Sequence, residues 1–233
     1  MKQNRITSAG HSSNTLVSRS QFKPILFSTD MVKAILSGDK TQTRRRVPEK
    51  IVDAYYDYDD WASSVGMPEG ISCTRTYEKE YFMDRCKYSV GDILWVRETW
   101  QVTDFIHRED ENWGYIYKAS KNGRDWESND DEWKWKPSIF MPKEACRIFL
   151  EVTGVRVERI KDINEDDAHA EGIVMTNKPH ESWYWMENVY STDCPIFAYL
   201  KLWEKINGQD SLVDNDWVYV ITFKVVECPQ GFC

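Results

Sequence analysis

Short apolar runs alternate with polar, turn-forming stretches along the chain, and their periods separate strands from helices. "KPILFST" (23–29) is a run of extended-chain formers and predicts a strand. "TDMVKAILSG" (29–38) sets Met31, Val32, Ile35 and Leu36 on one helical face, with Thr29 or Asp30 to cap the start and Gly38 to end it. "GDILWVRETW" (91–100) has period two, with Ile93, Trp95 and Arg97 on one face and Leu94, Val96 and Glu98 on the other. "YIYKA" (115–119) predicts another strand, and "CRIFLEVTGVRVERI" (146–160) two extended pieces joined by a turn at Gly154. "INEDDAHAEGI" (163–173) predicts a short helix capped by Asn164 and closed by Gly172. "PIFAYLKLWEKING" (195–208) predicts a longer one: Pro195 suits its first turn, Ile196, Tyr199, Leu200 and Trp203 share a face, and Gly208 ends it. "DWVYVITFKVVE" (216–227) is the clearest strand, with Trp217, Tyr219, Ile221 and Phe223 alternating with Val218, Val220 and Thr222.

Two stretches lack a clean period. Residues 48–88 mix aromatics, acids and turn formers, and 103–142 include the acidic, Trp-rich "RDWESNDDEWKWKPSIFMP" (124–142). Both read as irregular insertions. Asp57, Asp59 and Asp60 either fold back on basic residues or form a solvated acidic loop. Strands outnumber crossover helices, which excludes a doubly wound sheet and predicts an α+β fold, a small mixed β-barrel with short helices at its ends. Residues 1–21 read as a polar tail, 22–228 as a single domain and 229–233 as a short tail.

Composition narrows the class. The 233 residues are 41% hydrophobic and 29% charged, as in a soluble globular protein. A chain of this size buries roughly 70% of its unfolded surface. No stretch reaches the ~18 apolar residues of a membrane span, and the first twenty residues lack a signal peptide's apolar run. A cytoplasmic protein with no membrane partner is expected. None of Cys73, Cys86, Cys146, Cys194, Cys228 and Cys233 forms a CxxC pair, so reduced thiols are expected. Cys73 and Cys86 bracket a polar loop without the second pair that a zinc site needs. His11, His107, His169 and His180 sit in polar surroundings and read as surface residues. Neither a metal nor a cofactor is expected.

Charge is unevenly spread. The net charge is −8, yet residues 1–50 hold ten Lys/Arg against three Asp/Glu, and residues 51–233 hold twenty against thirty-five. Such a chain does not coat nucleic acid indiscriminately, but its basic segment can hold a phosphate locally, since screening confines the field to about 8 Å.

That segment is "GDKTQTRRR" (38–46). On a strand, Arg44 and Arg46 face one way, Thr43 and Arg45 the other. A lysine activates a hydroxyl only when burial or neighbouring cations lower its pKa from ~10.4, and a carboxylate is then needed to position the ammonium. The 38 acidic residues do not say which one. The alternative is a basic strand edge that discourages edge-to-edge pairing. Arg97-Glu98-Thr99-Trp100 is a second candidate, because a buried arginine needs an acid or phosphate partner; the alternative is a structural ion pair. Among eleven tryptophans, Trp203 and Trp217 read as core, whereas Trp100, Trp133 and Trp135 are either stacking platforms for a base or pins that hold loops down.

Together these stretches resemble the ASCH domain, a relative of the PUA fold, in its long phage and prophage version. The resemblance rests on Gly38-Asp39-Lys40 through Arg45, on "KPILFST", "GDILWVRETW", "KPSIFMP", "RIFLEVTGVRVERI", "AEGI" and "LWEKING", and on the final "WVYVITF", and it spans residues 23–226. It implies a PUA-like barrel and RNA or a modified nucleoside as partner. A small bacterial relative is an acetylcytidine amidohydrolase using a Lys, a Thr and a Glu, which fall on Lys40, Thr43 and Glu171 here; other relatives are ribonucleases. The resemblance implies a substrate-binding set of Arg44, Arg45, Arg97, Glu98, Trp100 and Arg147. This chain is more than twice as long as the small enzyme, so its insertions reshape the cleft. A non-catalytic reader of RNA or modified nucleic acid is the alternative function, and a phage assembly factor that binds protein is a third.

Overall fold

The computed structural model describes residues 22–65, 77–102, 114–120, 134–178, 181–187, 189–191 and 194–232. The main sheet has five strands: β1 (Phe22–Leu26), β2 (Gln42–Arg46), β3 (Ile93–Arg97), β6 (Phe149–Arg159) and β10 (Trp217–Val226). Two smaller sheets are built from β4 (Trp100–Val102) with β5 (Tyr115–Tyr117), and from β7 (Val174–Lys178), β8 (Glu181–Met186) and β9 (Val189–Ser191). Around them pack α1 (Thr29–Ser37), α2 (Glu49–Ser64), α3 (Glu78–Asp84), α4 (Glu165–Ala170), α5 (Pro195–Asn207) and α6 (Gln209–Val213). The class is α+β, as expected.

The main sheet runs in the order β1-β3-β6-β10-β2; β1 and β3 are parallel and the other pairs antiparallel. Closure into a barrel was expected, but among the described residues the edge strands β1 and β2 share no ladder. They approach each other nonetheless, because Arg45 of β2 donates to the Leu26 carbonyl of β1 at 2.6 Å. A side chain spans the gap where main-chain pairing would close it.

β10 lies between β6 and β2, and both of its faces are buried. Tyr219, Ile221 and Phe223 pack with Ile25, Phe27, Leu94 and Val96 on one side. Val218 and Val220 pack with Ile173, Leu202 and Trp203 on the other. A third cluster gathers Trp100, Tyr117, Met141, Phe149 and Phe232. The expected turn at Gly154 is a bulge inside one eleven-residue strand: Thr222 faces Gly154, Phe223 faces Val152, and Thr153 is skipped. The apolar partners on both sides keep the strand extended through it.

Local signals place most ends. Ser28, one residue before the expected caps, accepts the Met31 N–H at 3.3 Å, and Asn164 accepts the Asp167 N–H at 2.8 Å. Residues 48–88 depart from expectation. Residues 49–64 are helix α2, and Tyr55 with Phe82 of α3 joins the main core. The Tyr55 and Phe82 rings lie 5.5 Å apart, and Phe82 lies 5.3 Å from Trp217. The apolar stripe of α2 is narrow, Ile51, Val52 and Tyr55, and interleaved acids hide its period. Asp57 and Asp60 are exposed on it. The β7–β9 sheet has no counterpart in the periodicity reading, and the strand at 115–119 ends at Tyr117. Cys73, His107 and Trp133 lie outside the described residues.

Candidate active site

The site begins at the end of α1. Gly38 takes a left-handed φ of +86°, and its N–H donates to Ile35 O. The chain then turns back, so that the Lys40 N–H donates to Ala34 O and the Thr41 N–H to Ala170 O, each at 2.9 Å. Lys40 and Glu171 thereby form an isolated antiparallel bridge. The start of β2 is docked against the end of α4 through the main chain, and the two side chains follow.

Lys40 and Glu171 are each 2% exposed. Lys40 Nζ donates to Glu171 Oε2 at 2.7 Å and to the Glu171 carbonyl at 2.8 Å. Gly172 makes this approach possible. Its φ is +98°, and a Cβ there would stand 3.3 Å from Lys40 Cβ and 3.1 Å from both Ala34 Cβ and Met186 Cε.

The other Glu171 oxygen meets Arg44. Arg44 NH1 donates to Glu171 Oε1 at 3.2 Å, and NH2 donates to Asp167 Oδ2 at 2.9 Å and Glu158 Oε1 at 2.5 Å. Arg156 extends the network, donating to both Asp167 oxygens at 2.8 Å and to Glu158 Oε2 at 3.0 Å. Gln42 joins Arg156 to Asp167. Buried charges survive when each has partners and its remaining donors are satisfied, which this network provides. The guanidinium of Arg44, expected to bind substrate, is held by three carboxylates.

Arg45 has no carboxylate partner among the described residues. It donates to Leu26 O and lies 5.1 Å from the Phe27 ring centroid. Arg46 pairs with Asp216 at 2.6 Å, with its side chain 43% exposed. The Thr43 side chain shares the Arg45 face of β2; it makes no hydrogen bond to Lys40 or to Glu171.

A small cleft of about 70 Å³ opens here. Thr43, Arg44, Arg45 and Glu171 line one side, and Tyr199, Leu202 and Trp203 of α5 line the other. Lys40 stands behind Glu171 and does not line the cleft. The electrostatics are uneven. Burial pushes the Lys40 ammonium below the usual lysine range; Arg45 and Arg44 push the same way, and Glu171 opposes them. Burial works against the Arg44 guanidinium, yet Glu171 and Glu158 raise it overall. Burial would raise the Asp167 carboxyl, but donors from Arg156 and Gln42 and the charge of Arg44 bring it below the usual range. Burial, and after it Glu171, hold the Tyr199 phenol well above its ordinary value.

The remaining candidates form a separate group, and none of them lines the cleft. Arg147 grips Glu98 with two bonds, Nε to Oε1 at 2.8 Å and NH2 to Oε2 at 3.0 Å, and stacks 4.1 Å from the Tyr117 ring. This is the structural ion pair weighed as the alternative, with Arg147 in place of Arg97. Arg97 donates to Ile139 O and lies over Trp95. Trp100 is buried against Tyr115, with Lys136 4.8 Å above its ring, which corrects the open stacking platform. Trp203 and Trp217 are core, as expected.

Sequence reasoning missed Glu158, Asp167, Arg156 and Tyr199. Arg156 and Glu158 share a strand face at two-residue spacing, and Tyr199 sits on the apolar face of a predicted helix, so the pattern held those placements but not what they face. Among the described residues no group of three or more His, Cys, Asp or Glu is arranged to hold a metal ion, and no helix is long and apolar enough to cross a membrane.

No family model and no curated protein matches the chain. Among solved structures, the chain is similar to an ASCH domain. That crystal structure, from Lactobacillus crispatus JV V101, shares 15% identity over 89% of this chain and 81% of its own, with a TM-score of 0.34.

Proposed function

We propose that this protein is an ASCH-type hydrolase of a modified nucleoside, free or within RNA, and that it cleaves an acyl amide. The observation that carries the reading is the buried Lys40–Glu171 pair standing directly behind a cleft that Thr43 lines. A lysine whose pKa is lowered by burial gives up and takes back a proton more readily than a free one, and a carboxylate on the cleft side can pass one to it.

In this reading the Thr43 hydroxyl attacks the acyl carbon of the amide. Its proton moves through Glu171 to the neutral Lys40 amine. The tetrahedral intermediate collapses, the C–N bond breaks, and Lys40 returns the proton through Glu171 to the departing amine. Water then hydrolyses the Thr43 ester, releasing the carboxylic acid and restoring the hydroxyl. Arg45 holds a phosphate or ribose oxygen at the rim. Arg44 fixes Glu171 in place rather than touching substrate.

The test compares wild type with Thr43→Val and Lys40→Ala on acylated nucleosides and short RNAs. Loss of turnover in both variants is expected. Turnover by Thr43→Val at the wild-type rate overturns the nucleophile assignment, and equal rates for Lys40→Ala remove the catalytic reading.

One observation favours a second reading. Thr43 is not hydrogen-bonded to its proposed base, as a reader without chemistry would allow. Such a reader binds the same ligands in the Thr43→Val variant with unchanged affinity and never turns them over.

A further inference from the structure

Two surfaces away from the cleft leave large apolar side chains in solvent, and both lie in the stretches that lacked a clean period. The first is on α2. Ile51, Val52 and Tyr55 turn one face of this helix to the core. Tyr58, Trp61 and Val65 form a second, exposed stripe at helical spacing. Trp61 is 52% exposed, and its ring lies 5.7 Å from that of Tyr58. The helix is acidic: Glu49, Asp53, Asp57, Asp59 and Asp60 stand against Lys50 alone. The second surface is the tight turn Ser138–Phe140, where Ile139 and Phe140 are exposed, Phe140 by 69%. It is held from behind. Ile139 O accepts from Arg97, the Phe140 N–H donates to Pro137 O at 3.0 Å, and buried Met141 takes the Glu98 N–H on its sulfur at 3.2 Å. Pro137 and Pro142 restrict the chain on either side. Its surroundings are basic, with Lys134, Lys136 and Lys143 against Glu144. Lys136 stands 4.8 Å over the Trp100 ring and Lys143 4.3 Å over the Phe232 ring, so both charges are held beside the turn.

Exposed apolar patches rimmed by charge mark contact surfaces. The sign of the charge decides what each one meets. Stripe against stripe brings acid to acid, and turn against turn brings lysine to lysine; like charges across an interface oppose both pairings. Stripe against turn brings aromatic to aromatic and sets acids against lysines. Both surfaces are exposed in the same chain, so within one copy neither covers the other. The turn holds Phe140 in place before any contact, so little ordering is lost on docking.

We infer that this protein self-associates, with the Tyr58–Trp61–Val65 stripe of one copy docking on the Ile139–Phe140 turn of a second copy. Each copy offers both surfaces, so copies close into a two-fold dimer or a ring, or run on as a chain. The contact uses no residue of the cleft, and it stands or falls independently of the hydrolase reading.

The experiment is sedimentation velocity of the full chain from about 1 to 100 µM, for wild type and for Trp61→Ser and Phe140→Ser, alone and mixed. Wild type is expected to grow beyond the monomer with concentration, and to grow less at about 0.5 M salt, where exposed charges are screened. Each variant alone is expected to associate at least about tenfold more weakly, as for loss of a central aromatic anchor. Mixed in equal amounts, the two are expected to recover a one-to-one dimer that neither forms alone. The intact turn of Trp61→Ser and the intact stripe of Phe140→Ser together make one contact. That recovery also separates a lost contact from a misfolded variant. A wild type that stays monomeric across the range overturns the inference. So does loss of association in only one of the two variants, the result for a stripe–stripe or turn–turn contact. A mixture that stays monomeric overturns it as well, and so does association that appears only when a short RNA is added, which assigns the turn to nucleic acid.

Discussion

Lys40 Nζ sits 2.7 Å from Glu171 Oε2 and 2.8 Å from the Glu171 main-chain oxygen, although 131 positions separate the two residues. One glutamate therefore holds the ammonium twice, through its side chain and its backbone, while its other carboxylate oxygen takes Arg44. Removing its side chain leaves the buried Lys40 without an anion and takes one of three carboxylates from Arg44. Glu171→Ala is expected to destabilise the fold by about 3–5 kcal/mol, the scale for breaking a buried ion pair from one side. Arg46→Ala breaks a pair of similar length at the exposed edge and should cost at most about 1 kcal/mol. Urea unfolding of the two variants checks the contrast; equal costs would mean that burial does not set the value of the pair.

Lys40 gives stability and rate a pH dependence of known sign. Burial lowers its folded pKa below the 10.5 of an ordinary lysine, so between those two values the unfolded chain binds more protons than the folded one. This contribution therefore makes stability rise with pH through that window. Any reaction that needs the neutral amine should likewise rise with pH through the lowered value. Arg45 helps to depress that value, so Arg45→Gln should move the acid limb of the pH–rate profile to higher pH. A limb that stays in place would show that Lys40 is not the group titrating.

Asp167 works in the same direction in a far more acidic window. Its folded pKa lies below the ordinary 3.8, held there against burial by Arg156, Gln42 and Arg44. The stability it contributes is present above 3.8 and is lost as pH falls through the lowered folded value. Arg156→Ala, at a side chain 42% exposed, should cost about 1 kcal/mol at neutral pH. The gap to wild type should close in acid, as followed by thermal melts across pH.

Gly172 sits where the two halves of the site touch. Gly172→Ala forces a side chain into a φ of +98° and against Ala34, Met186 and Lys40. A loss of at least about 1–2 kcal/mol is expected from the backbone conformation alone. Turnover should fall further than stability predicts, because the added methyl pushes Lys40 from Glu171. Wild-type activity at the permissive temperature would show that the close approach is not needed.

Arg45, with no carboxylate partner among the described residues, is a cation that could meet a phosphate. Arg45→Ala should weaken binding of a short RNA and reduce the slope of log affinity against log salt by about 0.7, the share of one single-strand phosphate contact. An unchanged slope would place the phosphate elsewhere.

Much of this was legible in the sequence and some was not, for definable reasons. β10 was plain because Trp217, Tyr219, Ile221 and Phe223 alternate without interruption, and α4 because Asn164 caps it and Gly172 closes it. α2 was not, since Asp53, Asp57 and Asp60 interleave with its aromatics and leave a stripe of three apolar residues. Lys40 and Thr43 stood out within the basic segment, but Glu171 emerged only from family resemblance; no local rule selects one acid among thirty-eight.

The sequence by itself determined what depends on neighbours within a turn or two: the period of each strand and helix, their caps, and the concentration of charge in residues 38–46. The tertiary structure decided which charges meet. Arg44 finds Glu158 across 114 positions and Glu171 across 127, because β2 pairs with β10, β10 with β6, and the end of α4 docks on Lys40. A buried cation needs an anion within about 4 Å whatever the separation along the chain. Strand pairing, not local pattern, supplies that proximity, and it turned Arg44 from an expected substrate ligand into the residue that holds Glu171 in place.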